Sequence, residues 1–264
     1  MRFRVAIAWL ILANGLISGQ GIGGKAGIGG KAGLGSGGGG TVTFVQIADA
    51  GTNANCAWDG RTDSNPCPLP NNTAAGNTII GCVGWNAGST GATFSITSDT
   101  QSLSWSVDSA TRKVADSTTD YTEIGVQCFH STTTTSAGAE TVTLQSSVDL
   151  AGPIFLYEIH GSGGTVTYQT GGVGTGSGTS QSTASVTPTQ NGALIIAISV
   201  IDDGTGSSTT YTQGSGWTLG YSNGGGDMSW ATQYLQQATA AGVTGPFTTG
   251  ITGTWVDSQT VLIP

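Results

Sequence analysis

From residue 41 onward the chain is a succession of short apolar or β-branched runs. Clusters of Gly, Asn, Ser, Thr and Asp separate them, and no helical period persists for a useful length. That pattern leaves little room for anything but strands joined by turns. The runs place strands at Thr41–Ile47, Asn77–Trp85, Thr93–Thr97, Leu103–Val107, Thr122–His130, Glu140–Ser147, Pro153–His160, Thr165–Gln169 and Ser182–Thr187. They continue at Ala193–Ile201, Trp217–Ser222, Met228–Gln237, Phe247–Trp255 and Gln259–Ile263, with Val148–Leu150 and Ala238–Gly245 as loops. The expected fold is all-β, an antiparallel β-sandwich or jelly roll. The 45 glycines among 264 residues do not argue for disorder here, because beyond residue 40 they alternate with Val, Ile, Thr, Trp and Tyr.

The first forty residues read differently. Arg2 and Arg4 precede an apolar run, Val5–Leu16, and small residues at Ser18-Gly19 mark a cleavage site. Residues 1–19 are therefore expected to be a secretory signal. Residues 20–40 carry a six-residue repeat, GIGGKA twice and then GLGSGG. Such a tract cannot recover its backbone entropy by burial and is expected to be a flexible tether. Residues 41–264 then form the β-sandwich domain. No later segment is apolar enough to span a bilayer, so no membrane insertion is expected once the signal is removed.

Four of the seven basic residues precede residue 41, while all fifteen acids follow it, so the domain carries a formal −12. Phosphate contacts need Lys and Arg, so nucleic acid is not an expected partner. The four cysteines, Cys56, Cys67, Cys82 and Cys128, allow three pairings in an exported chain. Cys56 and Cys67 flank a short loop, and Cys82 and Cys128 each sit in an apolar strand, so the expected bonds are 56–67 and 82–128. The shorter loop alone implies about 3 kcal/mol of stabilisation.

Residues 151–161, AGPIFLYEIHG, hold two of the few ionisable groups. On a strand, Ile154, Leu156, Glu158 and His160 share one face and Phe155, Tyr157 and Ile159 the other. Glu158 and His160 are thus weak catalytic candidates, an acid/base pair for a hydrolase. The simpler expectation is a buried Glu that accepts hydrogen bonds from a crossing loop. Only three glutamates exist, 123, 140 and 158, so no strand carries the paired carboxylates of a sandwich glycosidase. Asp59, Asp63 and Asn65, and separately Asp202 and Asp203, are loop oxygens of the kind that suits calcium, although Asp/Asn/Gly clusters are first of all turn formers. Trp58, Tyr211, Tyr221 and Trp230 lie near turns and could offer flat faces to sugar rings, core packing being the alternative for each.

A two-fold echo runs through the chain. GNTIIGCVGW at 76–85 resembles NGALIIAISV at 191–200, and each half closes on a Thr-rich strand followed by an apolar one. Two such halves suit a sandwich whose sheets exchange strands. From Gly76-Asn77-Thr78 onward, the order of motifs also resembles a concanavalin A-like, jelly-roll domain of bacterial secreted and phage-associated proteins. The other pieces are Ser95-Ile96-Thr97-Ser98-Asp99, Thr141-Val142-Thr143, Glu158-Ile159-His160-Gly161, Asn191–Ala197, Gly216-Trp217-Thr218 and the Tyr234 strand. The Glu158 corner is similar to a Glu-Tyr-Ser-Gly pattern and departs from it at Ile159-His160. The resemblance implies an extracellular or cell-surface bacterial module for adhesion or glycan binding. Its partner would be a polysaccharide or surface glycan. The other reading is a structural subunit that self-associates through a sheet edge.

Overall fold

The computed structural model describes residues 40–264 apart from 52, 62–63, 118–120, 203, 205–208 and 226–227. The expectations for the signal and, save Gly40, the tether lie outside the described residues, as do Asp63 and Asp203.

Fifteen strands are described: β1 (Val42–Ala48), β2 (Ala57–Arg61), β3 (Asn65–Pro68), β4 (Thr78–Ala87), β5 (Phe94–Asp99), β6 (Trp105–Asp116), β7 (Glu123–Ser131), β8 (Thr141–Ser146), β9 (Leu150–Gly161), β10 (Thr167–Ser182), β11 (Ala193–Asp202), β12 (Tyr211–Gln213), β13 (Thr218–Gly225), β14 (Met228–Gln237) and β15 (Pro246–Ile263). All pairings are antiparallel. The first sheet runs β1-β9-β4-β7-β6, with β2 also on β9. The second runs β10-β15-β11-β14-β13, with β12 also on β15. A third, β3-β8-β5, is smaller. The fold is an all-β antiparallel sandwich.

The two large sheets share one wiring. Naming the five strands of each by chain order, both read first-last-second-fourth-third across the sheet. The expected exchange of strands between sheets does not occur: each half of the chain builds its own sheet. Gly76 and Gly192, both at positive φ (88° and 78°), start the two central strands, β4 and β11. From there Ile80 matches Ile196, Cys82 matches Ile198, and Gly84 matches Val200. Part of the inter-sheet packing follows the same exchange, for β7 lies on β15 while β14 lies on β9, and β4 lies on β11; β6 departs from it, lying on β10 and β15 where its counterpart β13 makes no comparable contact. Gly84 faces its own counterpart: a Cβ there would sit 2.5 Å from Val200 Cγ2. A residue meeting its equivalent marks a two-fold relation between the sheets.

Burial follows the pleat. β4 and β11 are buried along their whole length, because both faces of each sheet are covered. Ile80, Cys82, Phe155, Tyr157 and Ile159 join Leu194, Ile196, Ile198 and Leu262 in the core between the large sheets. Ile79, Val83, Trp85, Ile154 and Leu156 face the third sheet instead, with Val142, Leu144 and Phe94. The outer face of the second sheet is closed by Val186, Tyr211, Trp217 and Phe247. Cys82 and Cys128 are register partners on β4 and β7 and are disulfide-bonded. Cys56 bonds Cys67, which holds the start of β2 against β3. Two disulfides fit an oxidising compartment.

Two segments differ from the sequence reading. Residues 170–181, glycine-rich, continue the strand instead of forming a loop, so Thr165–Gln169 and Ser182–Thr187 give way to one β10. Its partner β15 likewise fuses the two expected C-terminal strands. Glycine is needed on β10 because the chain folds back over it: a Cβ at Gly174 would lie 2.1 Å from the Ser182 carbonyl oxygen. The short loop read between Cys56 and Cys67 contains two strands, β2 and the start of β3, which pair with β9 and β8.

Candidate functional site

The Glu158 corner is occupied by the fold itself. Glu158 is 1% exposed. Its carboxylate accepts hydrogen bonds from Gln46 Nε2 (2.5 Å), the Ala74 backbone N–H (2.9 Å) and Asn77 Nδ2 (2.5 Å). Gln46 also takes the Asn71 N–H on its Oε1 at 3.0 Å, so the 71–77 loop is sewn across β1 and β9. His160 is exposed and does not touch Glu158. Its Nδ1 meets Asn77 Oδ1 at 2.8 Å, which joins the two residues only through Asn77. The other glutamates behave alike. Glu123 accepts Trp85 Nε1 and the Gly91 N–H (3.1 and 2.9 Å), and Glu140 accepts the Thr100 N–H (3.3 Å). Each buried carboxylate pins a loop.

The expected sugar platforms are mostly core. Trp58 is not in a loop but on β2, 3% exposed, and packs in the core beneath the third sheet. Tyr211, 5% exposed, donates its hydroxyl to the Ser229 carbonyl (3.1 Å) under the outer cover of the second sheet. Trp230 and Tyr221 are half-buried against the inter-sheet core. Trp58 and Tyr211 are thus covered by the fold, while Trp230 and Tyr221 keep part of their surface exposed. Asp202 ends β11 with a buried side chain that accepts Ser117 Oγ and, at 3.1 Å, the Gly204 N–H. Asn65 lies on β3 opposite Leu144, and the Asp59 backbone pairs with Ala151. No three His, Cys, Asp or Glu side chains gather into a metal site among the described residues.

The structure brings together a group that sequence reasoning missed. Where the two large sheets part, at the start of β4, the end of β7 and the start of β10, lies an open cleft of about 220 Å³. Thr78, Thr132, Thr134, Thr167, His130 and Tyr168 line it. The His130 ring stacks on Tyr168, centroids 4.9 Å apart and planes 14° apart. Its Nδ1 meets the Asp108 carboxylate of β6, at 2.8 Å to Oδ1 and 3.1 Å to Oδ2. Asp108 is 4% exposed. Burial raises its pKa, and the hydrogen bond and charge of His130 pull it back down. Burial, then the Asp108 charge, pushes the Tyr168 phenol up to about 12. The hydroxyls of Thr78, Thr134 and Thr167 make no hydrogen bond among the described residues, whereas Thr132 Oγ1 donates to the Ser104 carbonyl at 3.2 Å.

The two-fold relation shows what the fold alone requires at this position. The registers match Thr78 with Leu194, His130 with Tyr234, Tyr168 with Phe44 and Asp108 with Tyr221. The equivalent rings Phe44 and Tyr234 also stack, at 4.7 Å and 12°. One end of the inter-sheet core is therefore closed by aliphatic and aromatic groups. At the other the same positions carry an imidazole, a carboxylate and a hydroxyl. Packing is satisfied by the apolar version, so the polar version is a departure the sandwich does not need. The only sequence signal was that His130 is one of two histidines in the chain.

No family model, curated protein or solved structure matches this chain.

Proposed function

We propose that this chain is a secreted, non-catalytic binding module whose ligand is a neutral, hydroxyl-rich molecule such as a sugar residue of a polysaccharide or surface glycan. The observation that carries the reading is the cleft between the large sheets, with its unshared threonine hydroxyls beside the His130–Tyr168 stack. Hydroxyls, an imidazole and a flat aromatic edge are the groups with which a protein takes hold of a polyol. Lys and Arg, which an anionic ligand would call for, are missing from the cleft lining. The hydrolase alternative at Glu158 has less support, since that carboxylate is spent on three internal hydrogen bonds.

A glycan-array screen of the purified chain tests the reading. Specific binding should weaken about five- to tenfold on Thr134→Val or Thr167→Val, each of which removes one hydrogen-bonding group. Binding indifferent to both substitutions would place the ligand elsewhere, and silence across the array with folded protein would end the glycan reading.

The second reading, self-association, draws on a separate observation. Val45 and Val107 are the exposed large hydrophobics among the described residues, and they sit on the opposite edge strands β1 and β6 of the first sheet. Edge-to-edge pairing of copies would bury both. Light scattering across concentration would reveal it, and Val45→Lys or Val107→Lys should abolish it.

A further inference from the structure

We propose that His130 selects the ligand as a hydrogen-bond acceptor: its Nε2 lone pair accepts a hydrogen bond from a hydroxyl of a neutral sugar, which a protonated ring cannot do. This deepens, and rests on, the reading of the cleft as a polyol site.

Nδ1 lies within hydrogen-bond distance of both Asp108 oxygens, and an ionised carboxylate only accepts. The neutral ring must then carry its proton on Nδ1, which leaves the lone pair on Nε2. Nε2 makes no hydrogen bond among the described residues and is not among the buried unsatisfied atoms, so it reaches the solvent of the cleft. Stacking on Tyr168 fixes the ring plane. The surrounding hydroxyls can donate or accept, so among the described lining side chains Nε2 is the group that accepts without donating in the neutral state. Protonation adds a hydrogen there and reverses the polarity toward the ligand. The titratable groups against the ring are Asp108 from β6 and the Tyr168 phenol from β10, while β4 presents Thr78 and the 131–134 segment presents hydroxyls. A protonated imidazole donates from both nitrogens, so the acceptor exists only while the ring is neutral.

Two measurements on the full chain decide it. Long-range ¹H–¹⁵N correlation spectra at pH 8 should show His130 as the Nδ1–H tautomer, and the Nε2–H tautomer would overturn the proposal without reference to any ligand. Methyl α-glucoside and methyl α-galactoside, titrated at pH 7.5 and pH 5, should bind at least about tenfold more weakly at the lower pH, the loss expected for one hydrogen bond to a positioned group. His130→Gln, its folding verified by thermal melting, should remove that pH difference. Equal affinity at both pH values overturns the role of His130 while leaving the cleft as a binding site. Failure of both glycosides to bind at pH 7.5 rejects the polyol reading and this inference with it.

Discussion

Glu158 shows what one ionisable residue does in a sheet this poor in charge. Its oxygens meet three donors, from β1, the 71–77 loop and Asn77. In Glu158→Gln an amide NH₂ would face some of those donors and leave them unpaired in the interior. The expected cost is about 3 kcal/mol of unfolding free energy, the range for breaking a buried charged hydrogen-bond group. Urea denaturation measures it, and a loss under about 0.5 kcal/mol would mean the loop is held by other contacts. Two further acids set the pH dependence. Burial, then the Asp99 charge, pushes the Glu140 carboxyl up to about 7 from 4.5. Burial raises Asp257 well above the ordinary range, opposed in part by the Ser199 hydroxyl. A folded pKa above the unfolded one favours the protonated acid in the fold. The stability it contributes is complete below the unfolded pKa and is lost as pH rises through the folded one. For Glu140 the window runs from 4.5 to about 7. The chain should therefore melt lower at pH 8 than at pH 5. Glu140→Gln should flatten that slope, raising the melting temperature at pH 8 and changing it little at pH 4. A melting temperature that climbs from pH 5 to pH 8 in the parent would contradict this.

At the scale of elements, the contact between the sheets is close where β4 crosses β11. The Gly84 Cα lies so near Val200 that a methyl group has no room without movement of one sheet. Gly84→Ala should cost about 1–3 kcal/mol through overpacking. Adding Val200→Ala should recover part of that, because the second substitution removes the group in the way. A double mutant no more stable than the sum of the singles would place the strain elsewhere. The elements also show what could be read beforehand. Strands with long apolar runs, such as β4 and β11, were legible because burial on both faces demands such runs. The disulfides were legible because one closes a short loop and the other joins two apolar strands. β10 was not, since its glycines serve a returning segment whose position exists only in three dimensions. The cleft was hidden for the same reason: His130 and Asp108 are 22 residues apart and meet only once β6 pairs with β7. Trp58 and Tyr211 proved buried because a turn-rich neighbourhood in sequence says nothing about which layer covers it.

The described residues build two sheets of the same wiring that face each other across a shared core, the first elaborated by β2, β3, β5 and β8 and the second by β12. Each sheet is made entirely from one half of the chain, and the halves are joined between β9 and β10 through the exposed Gly163-Gly164 turn. Neither half can cover the inner face of its own sheet: Leu194, Ile196, Ile198 and Leu262 of one need Ile80, Cys82, Phe155 and Tyr157 of the other. This arrangement predicts fragment complementation. Residues 40–163 and 164–264, refolded together under oxidising conditions, should associate into one species with the parent's circular dichroism and a single cooperative melt. Its melting temperature should rise with concentration, since mass action now couples folding to association. Each fragment alone should aggregate or melt without cooperativity, because its inner face is open to water. If residues 164–264 fold alone as a cooperative monomer, the inter-sheet core is not what holds the second sheet together. The cleft at His130 takes residues from both halves, on β4, β7 and β10. If the cleft is the proposed sugar site, binding should return only in the reassociated pair.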